Sequence, residues 1–163
     1  PGETSTMGTV SSICVVPKRG GAPAPVNAVS AVAHRGLEGD RYFGKMRKGK
    51  PFTQGAITLI EAEAIEALES ELGLSLMVGE TRRNIVTHGI RLNDFVGKTL
   101  RIGEAVIKGF ELCDPCKRLE ALSGKPLMAP LENRGGLRAY ILKTGRIQVG
   151  DGIETCGFVE SSQ

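Results

Sequence analysis

Phe110-Glu111-Leu112-Cys113-Asp114-Pro115-Cys116-Lys117-Arg118-Leu119-Glu120 is the stretch richest in chemistry. A strand-like run ends near Cys113. Asp114 is a favourable N-cap, and Pro115 suits the first helical position. Cys116 then falls at the second helical position, where backbone N–H groups lack intrahelical acceptors and a thiolate meets the positive end of the helix dipole. An ordinary Cys, with a pKa near 8.5, is only about 3% thiolate at pH 7. The dipole contributes about 0.3–1 kcal/mol, less than one pK unit. An activated Cys116 therefore needs further cations from the fold, beyond Lys117 and Arg118, and Asp114 works against it. The plain alternative is a buried, inert cysteine.

Cys113 and Cys116 also form a C-x-x-C, which a thiol–disulfide oxidoreductase would place at such a strand-to-helix turn. The βαβ surroundings of that motif are missing. A zinc site needs two more ligands, and Cys14, Cys156, His34 and His88 include no second pair at ligand spacing.

Thr81-Arg82-Arg83-Asn84-Ile85-Val86-Thr87-His88-Gly89 is a second constellation. Its arginines and Asn84 precede an apolar strand and are placed to reach an anion from a barrel rim. Arg holds phosphate through two hydrogen bonds, and Asn both donates and accepts. A solvated charged turn is the competing reading. In Asn133-Arg134-Gly135-Gly136-Leu137-Arg138 the glycines would permit close backbone approach, yet neither a P-loop nor a dinucleotide spacing is present.

Short strands must position these groups. Strand patterns run from Gly8 to Val16, Val26 to Ala33, Ala56 to Ile60, Asn84 to Thr87, Lys98 to Ile102 and Ala105 to Leu112. The last two turn at Gly103-Glu104. Leu137 to Leu142 and Arg146 to Val149 read as a further pair around Gly145. Pro17 to Pro25 is a basic Pro/Gly loop, and Lys45 to Lys50 an exposed loop with four cations. Ala62, Ile65, Leu68 and Leu72 follow helical spacing, with Gly73 as the stop. Many short strands with one or two helices predict a mostly β (α+β) fold, a mixed barrel rather than a parallel α/β sheet.

Composition agrees. The 163 residues carry 40% hydrophobic and 24% charged side chains, enough for an ordinary single-domain core without metal or disulfide staples. No apolar run is long enough to span a membrane, so no membrane partner is expected. A net charge of +3 and few aromatics argue against a nucleic-acid partner. Four cysteines without a dense framework or a leader pattern fit free thiols in a cytoplasmic protein. Residues 1–6 read as a lead-in or an expression remnant, 7–156 as the domain and 157–163 as a tail.

Taken in order, the chain resembles the MOSC domain, the family named after the C-terminal part of molybdenum cofactor sulfurase. The resemblance rests on Gly36-Leu37-Glu38-Gly39-Asp40-Arg41, the Thr81–Gly89 segment, Val96-Gly97-Lys98-Thr99-Leu100-Arg101-Ile102-Gly103, Cys113-Asp114-Pro115-Cys116, Arg134-Gly135-Gly136, and Gly145-Arg146-Ile147-Gln148-Val149-Gly150-Asp151. It covers Met7 to Ile153 as a small stand-alone member. It implies a MOSC-type β-barrel that binds molybdenum cofactor. Cys116 matches the family's functional cysteine, a metal ligand or persulfide sulfur carrier. Arg41, Arg82 and Asn84 match its pterin-phosphate segments, with Lys18 and Arg138 as further cofactor-binding candidates. The resemblance also implies a cysteine desulfurase or an electron-donor protein as partner, a small-molecule cofactor or substrate, and reduction of N-hydroxylated compounds by a metal-loaded form. A sulfur-transfer module without metal, or a non-catalytic anion-binding domain, are the alternatives.

Overall fold

Burial alternates residue by residue along the β-branched segments, as in Ala28–Val32, Thr99–Ile102 and Leu137–Lys143, so each presents one face to a core. The computed structural model describes residues 6–51, 56–73, 75–76, 79–113 and 134–157. In chain order its strands are β1 (Thr6–Val15), β2 (Ala24–Val26), β3 (Ala28–Val32), β4 (Gly36–Leu37), β5 (Met46–Arg47), β6 (Lys50–Pro51), β7 (Ile57–Glu61), β8 (Ile85–His88), β9 (Thr99–Ile102), β10 (Ala105–Leu112), β11 (Leu137–Lys143), β12 (Gly145–Gln148) and β13 (Gly152–Thr155). Helix α1 (Ala62–Leu72) follows β7, and a 3-10 turn at Leu92–Phe95 precedes β9.

The main sheet runs β13-β9-β10-β11-β7-β8-β1, and β1 returns to pair with β13. Seven strands thus close into a barrel, with β2 added beside β1. Only β7 and β8 run parallel among these neighbours, and α1 lies in the crossover that a parallel pair requires. Ile13, Leu59, Ile85, Leu100, Ile107 and Leu137 fill the barrel. A smaller sheet, β12-β3-β4, contributes Val29, Ala31, Leu37 and Ile147 to the same core. On the outer face Ile60 meets Ala64 and Leu68 of α1. The helix stops where Gly73 adopts φ 65° and returns its N–H to Glu69 O.

The expected mostly β barrel is therefore present, and β10 and α1 match their expected spans. Three local readings change. Leu137–Lys143 and Gly145–Gln148 do not pair with each other: β11 joins β10 and β7, while β12 joins β3. The single residue between them, Thr144, is too short for a hairpin loop, and the chain instead turns a corner between sheets. Val26 to Ala33 is not one strand. It divides at Asn27, whose carbonyl accepts Val149 N–H, leaving β2 on β1 and β3 on β12. Lys45 to Lys50, expected as an exposed loop, is exposed at Lys45, Met46, Lys48 and Gly49, but it is built as a hairpin in which β5 and β6 pair.

Candidate functional site

Glu111, Arg138 and Thr58 stand in one row across β10, β11 and β7. Hydrogen bonds carry the row on to Asn84, just before β8, and to Cys14 of β1. One step along these strands lie Leu137, Leu59, Ile85 and Ile13, all in the barrel core. Side chains alternate across a sheet, so the row lies on the outer face. The row that was expected at the barrel rim thus stands on the outside of the wall.

Asn84 is 4% exposed and fully engaged. Its Oδ1 accepts the Thr58 N–H and hydroxyl, both at 3.1 Å. Its Nδ2 donates to Cys14 O at 3.1 Å and Asp40 Oδ1 at 3.4 Å. Asp40 is buried too, and its Oδ1 accepts Val16 N–H at 2.9 Å. The Arg41 guanidinium lies 3.6 Å from that oxygen and 4.3 Å over the Tyr42 ring. Backbone Arg41 N–H donates to Val16 O, completing the seam between the 36–44 segment and the end of β1.

Arg82 adopts φ 61°, a region that non-glycine residues seldom occupy. Its Nη1 donates to Gly21 O at 2.7 Å, which ties the site to the loop carrying Lys18. Lys18 itself is exposed, and its carbonyl accepts Gly21 N–H at 2.8 Å. Arg83 Nε donates to Gly135 O at 2.8 Å. Arg138 Nη1 lies 3.5 Å from Glu111. Burial opposes the Arg138 charge, but Cys113, Glu111 and Tyr42 together outweigh it and raise its pKa above the ordinary value. The Cys14 thiol is also pushed up, first by burial and then by Asp40, with Arg82 and Arg41 pulling the other way.

The structure thus brings Arg41, Arg82, Asn84 and Arg138 into one neighbourhood, with Lys18 on its adjoining loop. Cys116, with Asp114, Pro115, Lys117 and Arg118, lies outside the described residues. Cys113 is 2% exposed and uncrosslinked. Among the described residues no group of three His, Cys, Asp or Glu side chains could hold a metal ion. His88 is a surface group beside Glu63 at 3.3 Å. Gly136 of Arg134-Gly135-Gly136 serves packing: a Cβ there would stand 1.8 Å from Leu59 O. Arg134 reaches back to Glu71 of α1 at 3.0 Å. Asp40, Thr58 and Tyr42 were not among the expected site residues. Asp40 was visible only as a member of the Gly36–Arg41 stretch that carries the resemblance.

The model of the MOSC domain matches residues 33–154, three quarters of the chain. The chain belongs to the MOSC domain family. Among solved structures, YuaD from Bacillus subtilis superposes with a TM-score of 0.75 at 15% identity, covering 90% of this chain and 94% of that one. YiiM from Geobacillus stearothermophilus gives 0.63 at 16% identity over 94% of this chain and 75% of its own. YiiM from Escherichia coli gives 0.64 at 18% identity, with 93% and 71% covered. At these identities the likeness is one of fold. No curated protein matches the chain in sequence. No helix among the described residues is long and apolar enough to cross a membrane.

Proposed function

We propose that this MOSC domain binds molybdenum cofactor on the outer face of the barrel, with Arg41, Arg82 and Arg138 gripping its anionic end and Cys116 as metal ligand or sulfur carrier. One observation carries the reading. Among the described residues, three guanidinium groups, Arg41, Arg82 and Arg138, converge on one stretch of the outer wall, held there by Asp40, the Gly21 carbonyl and Glu111.

That donor set fits a phosphate-bearing pterin, because guanidinium groups bind phosphate through paired N–H donors. Asp40 fixes Arg41, and the buried Asn84 amide fixes Asp40, so Asn84 acts as a positioning residue beneath the contacts. Lys18 adds charge from the loop that Arg82 anchors. When bound, the cofactor supplies the redox chemistry for reducing N-hydroxylated compounds with electrons from a donor protein. The chain's own part is to bind and orient the anion and to present a soft sulfur ligand.

A second reading is a sulfur-transfer module fed by a separate cysteine desulfurase. It is favoured by Cys113, whose side chain is a hydrogen-bond partner of Arg138 and so sets a second thiol at the edge of the candidate site. Native mass spectrometry of protein freshly purified from cofactor-producing cells separates the readings. A pterin–molybdenum adduct is expected. An added sulfur alone selects the transfer module, and neither adduct leaves a non-catalytic anion-binding domain.

A further inference from the structure

The positive charge of this protein is concentrated in one segment. Between Arg35 and Lys50 stand Arg35, Arg41, Lys45, Arg47, Lys48 and Lys50, against Glu38 and Asp40 alone. That segment carries +4 when the whole chain carries +3, so everything else sums to −1. No acid occurs between Arg41 and Ile60.

The fold orders part of this charge, at Arg35, Arg41 and Lys45. β5 and β6 pair as Met46↔Pro51 and Arg47↔Lys50 and, among the described residues, join no other sheet. Lys48 and Gly49 turn the hairpin with φ 53° and 77°. Two positive φ angles suit Asn-Gly or Gly-Gly, so a lysine at the first position is held there against its backbone preference. At the stem, Arg35 lies 4.7 Å over the Phe43 ring. Arg41 and Lys45 share the Tyr42 ring, at 4.3 and 5.4 Å. Cations laid on rings are partly ordered in advance, which reduces the entropy lost when they meet a partner. Met46 is 56% exposed beside them and offers one apolar anchor.

The pattern selects among polyanions. Bases need open aromatic faces, but Tyr42 and Phe43 are half-buried and carry cations. A lipid surface needs more apolar insertion than Met46, the exposed large apolar side chain among the described hairpin residues, provides. A compact acidic patch on a folded protein matches both the size and the charge. Tyr42 joins this stem to the candidate site, because its ring holds Arg41, whose guanidinium also reaches Asp40.

We propose that the β5–β6 hairpin and its ring-stacked stem are the docking surface for an acidic donor protein that delivers to the neighbouring site. The partner's role as a donor rests on the proposed function; the docking itself does not.

The test compares Lys45→Gln/Lys48→Asn/Lys50→Gln with Lys98→Gln/Lys108→Gln/Lys143→Gln, exposed lysines whose removal changes net charge equally. The probes are a glutamate-rich peptide, a single-stranded RNA and phosphatidylserine vesicles, each titrated at rising salt. The wild type is expected to prefer the peptide and to lose it as salt screens the charges. The hairpin variant should bind roughly tenfold more weakly at low salt, and the control variant within about twofold of wild type. Asn at 48 suits the turn, so the hairpin variant should melt no lower than wild type. Absent peptide binding, equal losses in both variants, or preference for RNA or vesicles overturns the proposal. The hairpin variant should also keep any adduct that native mass spectrometry finds on the wild type. Loss of that adduct would place the hairpin within the site and overturn the docking role. A wild type that binds the peptide but never carries an adduct supports docking and defeats the proposed function instead.

Discussion

Thr58 and Asn84 hold each other by reciprocal hydrogen bonds at the start of the parallel β7–β8 pair. Asn84 N–H donates to the Thr58 hydroxyl oxygen at 3.0 Å, and Thr58 returns its N–H and O–H to Asn84 Oδ1, both at 3.1 Å. The remaining Asn84 donors reach Cys14 O and Asp40 Oδ1. One buried amide therefore links β1, β7 and the 36–44 segment, and it fixes the carboxylate that orients Arg41.

Removing that amide should cost stability first. Asn84→Ala orphans the Thr58 N–H and the Cys14 carbonyl in a buried place, a loss of about 2–4 kcal/mol. Thermal unfolding should fall by roughly 4–15 °C for a chain of this size. Asn84→Asp keeps the shape but sets a second carboxylate against Asp40. Its deficit should therefore shrink as pH falls and the pair gains a proton. A melting temperature equal to wild type in both variants would show that the row contributes nothing.

The guanidinium groups should separate by position. Arg41→Ala and Arg82→Ala are expected to weaken binding of pterin phosphate by roughly 10- to 150-fold, because a charge-assisted contact contributes about 1.5–3 kcal/mol. Arg47→Ala, in the β5–β6 hairpin, should change it little. Titration calorimetry reads the difference, with circular dichroism to confirm the fold. Equal small effects at all three positions would mean that only diffuse charge matters.

Some of this was legible in the sequence and some could not be. Ala105–Leu112 and Ala62–Leu72 followed from local periods, and Gly73 from the turn that only a left-handed residue makes easily. Arg41, Arg82 and Arg138 stood out as residue types that hold anions. Their common support did not, because Cys14, Asp40, Thr58, Asn84 and Arg138 meet only through non-local strand pairing. Asn84 stood out as an amide placed to reach an anion, and its buried partners were hidden for the same reason. A buried amide and a surface amide are one letter in the sequence, and only the partners Thr58 and Asp40 tell them apart. The supposed β11–β12 hairpin failed likewise, since proximity along the chain says nothing of which sheet each strand joins.

Glu61 offers a test of the fold through pH. Burial raises its carboxyl above the ordinary 4.5, the Leu92 N–H at 3.1 Å pulls it down, and Glu63 adds to the rise. The folded chain therefore binds this proton more tightly than the unfolded chain. The resulting stability is fully present below the ordinary value and is lost as pH rises through the folded one. Glu61→Gln keeps an acceptor for Leu92 and removes the charge. At pH 7 it should be at least as stable as wild type, with its advantage shrinking as pH falls below the raised value. Denaturant melts across that range check it; a variant that loses ground steadily as pH rises would contradict the sign.

Thiol reactivity bears on the cysteine assignment. Cys14 is 2% exposed and its thiol is held neutral by burial and by Asp40, so it should alkylate slowly. Cys113 is equally buried and should also be slow, despite Arg138 beside it. Cys156 is partly exposed, so the reagent should reach it more readily than Cys14 or Cys113. Cys116, with its Asp-Pro helix-start signature and the cations that follow it, is expected to react fastest in cofactor-free protein. Phosphate should bind the nearby arginines, neutralise them and slow that reaction. Iodoacetamide labelling against pH, mapped by peptide mass with and without phosphate, gives each rate. Cys116→Ser should then abolish metal or sulfur retention with little change in fold, while Cys113→Ser retains it. If Cys113→Ser loses retention and Cys116→Ser does not, the sulfur ligand is Cys113, the thiol beside Arg138. Uniform labelling of all four, indifferent to phosphate, would remove the physical basis for an activated cysteine at this site.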